Sequence, residues 1–182
     1  MKIEIKEDNI IYEGQWLSLY DRTFINMQGK EKKWTYVKRS NSRGAVTIIA
    51  INKENELILI KQFRIPIASY IYEFPAGLID KDYTIEETAL KELKEETGYI
   101  GEIIDVSTKI YSSPGLTSEN AYCVKIRATE KKEKELEPEE DIELIHLKKE
   151  NIHAFLENIK KNGEKIDAKV YNYLDAIINP IF

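Results

Sequence analysis

The chain has 182 residues, of which 42% are hydrophobic and 32% charged, with a net charge of −5. That balance suits one domain, or a domain with a small appendage, and excludes wholesale disorder; it argues against nucleic acid as a partner, because phosphate binding leaves a basic patch. No apolar run approaches the ~20 residues that span a bilayer, and the single cysteine, Cys123, excludes an internal disulfide and fits a reducing cytoplasm.

The start, MKIEIKEDN, alternates and is charged, so it lacks the apolar core of a signal peptide. From residue 2 to 39 apolar and polar residues alternate in short bursts broken at Gly29, which reads as an antiparallel meander. Its aromatics, Tyr12, Trp16, Tyr20, Trp34 and Tyr36, are expected at a subunit interface, against a flat ligand, or packed on the following domain. Two nearly continuous apolar runs follow, GAVTIIAI and ELILIKQF, joined by the polar turn NKEN. They predict a hairpin with at least one strand buried on both faces.

Arg64 ends the second run, and its fork suits phosphate as well as solvent. Pro75, Ala76 and Gly77 predict a tight turn. Thr84 with Glu87 three residues on is a capping box, and Gly98 is placed to close the helix it starts. Ile85, Ala89 and Leu93 share one side of that helix, while Thr88, Glu92, Glu95 and Glu96 are expected on the other. Glu92, Glu95 and Glu96 stand at i, i+3 and i+4, so like charges share one face and a hard divalent cation would relieve them. On the residues alone, metal ligation and a solvated acidic face stay open together, since Lys91 and Lys94 are available as partners.

Strands are predicted over 103–111 and 121–128, joined by the loop SSPGLTSEN, with Cys123 as a small buried hydrophobe. The charge run 129–141 reads as a solvated loop. A strand IELIHL, a helix stopped by Gly163 and a last helix over DAKVYNYLDAII complete the chain, with His146 and His153 as ordinary surface or satisfied residues. Two histidines are too few for a histidine-built zinc site. No internal repeat is present, and the residues from Gly44 onward read as a mixed α/β sandwich behind a small N-terminal sheet.

The stretch from Gly77 to Tyr99 resembles the signature of the Nudix hydrolases, with Gly77, Glu92, Leu93, Glu95, Glu96, Gly98 and Tyr99 on pattern. Two positions depart: Tyr83 stands where the family has glutamate and Lys91 where it has arginine. In the family those two support the metal-binding glutamates. Within it, EFPAG, KQFR, SSPG and Pro114 are similar to the ADP-ribose pyrophosphatase branch.

The resemblance implies an α/β fold, a Nudix-type α/β/α sandwich with a mixed sheet over residues 44–182. Ahead of it, a small antiparallel β-sheet over residues 1–43 would serve dimerisation and base contacts. It implies metal-dependent hydrolysis of ADP-ribose to AMP and ribose 5-phosphate by a cytoplasmic homodimer using Mg²⁺, with Mn²⁺ as substitute. The implied metal ligands are the carbonyl of Ala76 with Glu92, Glu96 and Glu140, assisted by Glu95. Glu139 or Glu137 would be the general base, and Arg64, Glu73 and Trp34 would contact substrate. GDP-mannose or another nucleotide sugar is the same chemistry on a different base, and a degenerate domain that binds without cutting is the alternative class.

Overall fold

The computed structural model describes residues 2–40, 42–136, 138 and 140–180. Three antiparallel strands, β1 (Glu4–Glu13), β2 (Leu17–Ile25) and β3 (Glu31–Arg39), form a separate sheet in the order β1-β2-β3. This is the expected meander. Tyr36 packs within this sheet instead: it is buried, stacked on Tyr20 at 5.5 Å, and Arg22 lies over its ring.

The second sheet has eight strands: β4 (Ala45–Ile51), β5 (Glu56–Arg64), β6 (Ser69–Glu73), β7 (Ala76–Leu78), β8 (Tyr99–Val106), β9 (Ala121–Lys131), β10 (Ile142–Lys148) and β11 (Lys165–Ile166). They run in the order β11-β6-β5-β4-β9-β8, with β10 also on β5 and β7 also on β4. The β4–β9 and β6–β11 pairs are parallel and the others antiparallel, so the sheet is mixed. Among the described residues, three α-helices cover it: α1 (Ile85–Thr97), α2 (Ile152–Asn162) and α3 (Ala168–Ile178).

Alternation along the strands divides the core in two. Val46, Ile48, Ala50, Ile58, Val124 and Ile126 meet Ala89 and Leu93 of α1, while Leu57, Leu59, Phe74 and Leu147 meet Ile152, Val170 and Leu174 of α2 and α3. Ile58 and Leu59 are consecutive and fully buried, as a strand covered on both faces requires. The architecture is therefore an α/β/α sandwich. None of its helices among the described residues is long and apolar enough to cross a membrane.

Three local expectations are corrected. The segment at 75–77 is not a turn: Ala76–Leu78 is extended and pairs with Ala45–Thr47 of β4. The strand after α1 starts at Tyr99 rather than 103, because the left-handed cap at Gly98 reverses the chain directly into the sheet. Cys123 is only half-buried, and burial pushes its thiol up. The short strand β11 lacked any sequence signal of its own, since a two-residue strand exists only through its partner.

On the α2 side, the Lys61 ammonium lies 2.7 Å from Glu164, which also accepts from the Tyr72 hydroxyl at 3.2 Å. The bond from Lys61 holds the Glu164 carboxyl below its usual value of 4.5, so its contribution is complete above that pH and fades as pH falls through the lower folded value. Glu164→Gln is expected to cost about 1 kcal/mol at pH 7. In urea denaturation the difference from wild type should close in acid; a difference independent of pH would remove the ion pair as its cause.

Candidate active site

The site is built on β7 and α1. Thr84 accepts from the Glu87 backbone N–H at 3.1 Å while the Glu87 carboxylate accepts from the Thr84 N–H at 2.8 Å, and this reciprocal cap fixes where α1 begins. Gly98 ends the helix at φ 76°. Between these caps the helical period decides which acids turn toward β7.

Glu96 is expected to face away from the apolar side of α1, yet it is only 3% exposed. Its Oε2 accepts from the Ala76 backbone N–H at 3.0 Å. Burial pushes its carboxyl well above the usual range; the Ala76 N–H opposes this, the Glu92 and Glu140 carboxylates add to it, and the Arg64 guanidinium opposes it. Glu92, Glu140 and Arg64 thus act electrostatically on Glu96.

Glu92 lies directly across Gly77. A Cβ placed on Gly77 would come 2.1 Å from the Glu92 carboxyl carbon, so only glycine admits the carboxylate there. Glu95 goes elsewhere: its Oε2 is 2.6 Å from the Lys91 ammonium. Lys91, one of the two lysines available as partners in the sequence, thus takes Glu95 and sets it apart from the other two.

The charged loop is fastened to the end of α1. Lys94 pairs with Glu135 at 2.7 Å, the Glu135 N–H donates to the Glu95 carbonyl at 3.0 Å, and the Lys132 N–H donates to the Gly98 carbonyl at 2.7 Å. Register between β10 and β5 places Ile142 opposite Gln62, which delivers Glu140 to the same end of the sheet as Arg64. Glu137 and Glu139, the expected general bases, lie outside the described residues.

Arg64 and Glu73 come together, with Arg64 Nε 2.7 Å from Glu73 Oε2. Both line a cavity of about 350 Å³ whose wall includes Ala76 and Gly77. Trp34 does not join them. It is 56% exposed, donates from Nε1 to the Gly115 carbonyl at 3.0 Å, and lines a second groove with Ile3, Ile5 and Phe24. Tyr111 lines both spaces, so the groove and the cavity adjoin.

Sequence reading missed three charged residues on the cavity wall. Arg39 reaches it from β3 and is paired with Glu119 of the SSPGLTSEN loop, and Lys169 reaches it from α3, where it is 2.8 Å from Asp167. Arg39 and Glu119 are far apart in sequence, and nothing local marks either one.

The donors suit a hard divalent cation. They are oxygen only, and a carboxylate buried as deeply as Glu96 is costly unless a proton or a cation compensates it. As they stand, no group of three or more His, Cys, Asp or Glu side chains among the described residues is arranged to hold an ion. Glu92, Glu96, Glu140 and the Ala76 carbonyl are the groups that the sequence resemblance assigns to that task.

Residues 41–174 match the family profile described as NUDIX domain. The chain is 35% identical over 191 residues to the ADP-ribose pyrophosphatase of Saccharomyces cerevisiae, an alignment covering 97% of this chain and 83% of that protein. It is 32% identical over 184 residues to the ADP-sugar pyrophosphatase of Mus musculus, covering 93% of this chain and 84% of that one. Among solved structures, an ADP compounds hydrolase shares the fold with a TM-score of 0.69 at 23% identity, over 86% of this chain and 84% of that chain. With the box residues gathered on β7 and α1 and the match running through most of its length, the chain belongs to the Nudix hydrolase family.

Proposed function

We propose that the protein hydrolyses the diphosphate bond of a nucleoside diphosphate sugar, with ADP-ribose as the leading substrate and AMP and ribose 5-phosphate as products. The observation that carries this reading is that Ala76 and Gly77, which line the same cavity as the Arg64–Glu73 pair, also meet the buried Glu96 through the Ala76 N–H and the Glu92 carboxylate over Gly77. Two relatives named for ADP-ribose and ADP-sugar support the substrate class.

Arg64, oriented by Glu73, presents its guanidinium to the diphosphate, and Glu92, Glu96, Glu140 and the Ala76 carbonyl would hold Mg²⁺, with Mn²⁺ as substitute. Bound there, the cation supplies charge neutralisation at the phosphate oxygens and a more acidic water. Glu95, tied to Lys91, steadies the helix face beside these ligands. A water oxygen bonds to one phosphorus, the bridging oxygen leaves with the other phosphate, and the water proton passes to a carboxylate of the loop, Glu139 or Glu137.

The N-terminal sheet gives the protein a second surface. Every residue of β1 is exposed, and Ile3, Ile5, Ile10, Ile11, Tyr12 and Trp16 are all more than half exposed, which supports a homodimer formed through residues 1–43. Trp34, which lines the adjoining groove, would stack on the base. One half-buried free thiol fits the reducing cytoplasm.

The test is a panel of ADP-ribose, GDP-mannose and other nucleotide sugars with and without Mg²⁺, reading AMP or GMP release. ADP-ribose is expected to turn over best, and only with metal. GDP-mannose turned over far above it would replace the substrate, and binding without metal-dependent release would overturn the enzyme reading for this chain.

A further inference from the structure

Segment 79–84 has no regular structure, yet it joins Gly77, paired with Val46 of β4, to the capping box that starts α1. Something must hold it. The two box positions that depart from the signature do not: the Tyr83 side chain is 42% exposed, and the Lys91 ammonium is committed to Glu95.

Arg43, in the connection that enters β4, lies against this segment. A terminal nitrogen of its guanidinium donates to the Asp80 carbonyl at 3.0 Å and also to the Tyr83 carbonyl. Its backbone N–H donates to the Ile79 carbonyl at 3.4 Å, and the Ile79 N–H returns a bond to Gly44 at 3.0 Å. A single nitrogen with two hydrogens thus joins both ends of the turn 80–83 and satisfies two loop carbonyls.

We infer that Arg43 is a positioning residue for the acid site, clamping the β7–α1 connection from outside the signature in place of the side chains at 83 and 91. The inference rests on the metal-site reading above. Arginine suits this position better than lysine, because its terminal nitrogen stands one bond farther from the backbone and its plane fixes both hydrogens at once. Loosening the clamp lets Gly77 and the start of α1 drift apart, so the Glu92 and Glu96 carboxylates, both carried by α1, lose their register against Gly77 and Ala76 of β7.

The experiment compares wild type, Arg43→Ala, and Arg43→Ala carrying Tyr83→Glu with Lys91→Arg. The readouts are amide hydrogen exchange, Mn²⁺ affinity of the metal-free protein by electron paramagnetic resonance, melting temperature, and kcat and KM. In Arg43→Ala, exchange is expected to rise across 79–84 only, with Mn²⁺ affinity and kcat each about tenfold lower, KM little changed and the melting temperature retained. Restoring the signature residues should recover most of the Mn²⁺ affinity.

Unchanged exchange and affinity in Arg43→Ala overturns the inference, as does a rise in exchange over the whole chain with a falling melting temperature. Failure of the signature residues to recover affinity also overturns it. If Arg43→Ala does not fold, Arg43→Lys is read by the same criteria. Exchange across 79–84 is independent of turnover, so a wild type inactive on every nucleotide sugar would defeat the proposed function and leave the clamp separately readable.

Discussion

Glu96→Gln is expected to lower kcat on a diphosphate substrate by on the order of 10²–10³-fold, with the fold intact and the melting temperature equal to or above wild type. Both halves follow from the surroundings of this one side chain. Glu96 is 3% exposed, burial drives its carboxyl toward the protonated form, and Glu92 and Glu140 reinforce that. Ionised without a cation, it weighs against folding; an amide of the same shape removes the charge. The glutamine oxygen still accepts from the Ala76 N–H, so the β7–α1 contact survives. Chemistry suffers because a neutral amide is a weaker ligand for a hard cation. Steady-state kinetics with Mg²⁺ beside thermal denaturation without metal checks both; unchanged turnover would remove Glu96 from the metal site.

Gly77→Ala should separate activity from stability even more sharply. The added Cβ would stand 2.1 Å from both Cδ and Oε1 of Glu92, and 2.4 Å from its Cγ. Those atoms form the far end of a flexible side chain, so Glu92 turns aside and the backbone stays. Displacing a catalytic group by about an ångström costs on the order of 10²-fold in rate. Stability should change by less than about 1 kcal/mol. Gly163→Ala is the opposite case: nothing lies within 4 Å of its Cβ, but φ is 65°, so a cost of about 1 kcal/mol in stability with normal turnover is expected. Matching activity losses in the two variants would sink the role given to Gly77.

The local devices were legible from the chain alone. The capping box at Thr84 and Glu87, the glycine stop at Gly98 and the apolar stripe through Ala89 and Leu93 each depend on neighbours three or four residues away. For the same reason α2 and α3 lie where periodicity predicts them, with Gly163 in the left-handed conformation. Local rules failed where a partner strand decides. The residues Pro75, Ala76 and Gly77 look like a turn, but pairing with β4 draws Ala76–Leu78 out straight, and the glycine is there for the space over it rather than for its dihedral freedom.

The sequence by itself determined a Nudix box on a capped helix, a sandwich around buried β5, and a separate N-terminal meander. These depend on spacing, and spacing is written in the chain. Only the tertiary structure decided that Glu96 is buried on Ala76, that Glu95 leaves the cluster for Lys91, and that Arg64 meets Glu73 while Trp34 stands over a neighbouring groove. It alone brought Arg39 to Glu119 and Arg43 to the carbonyls of Asp80 and Tyr83. Burial and long-range pairing depend on which strands lie side by side, and residues distant in sequence acquire their roles only once the sheets have brought them into contact.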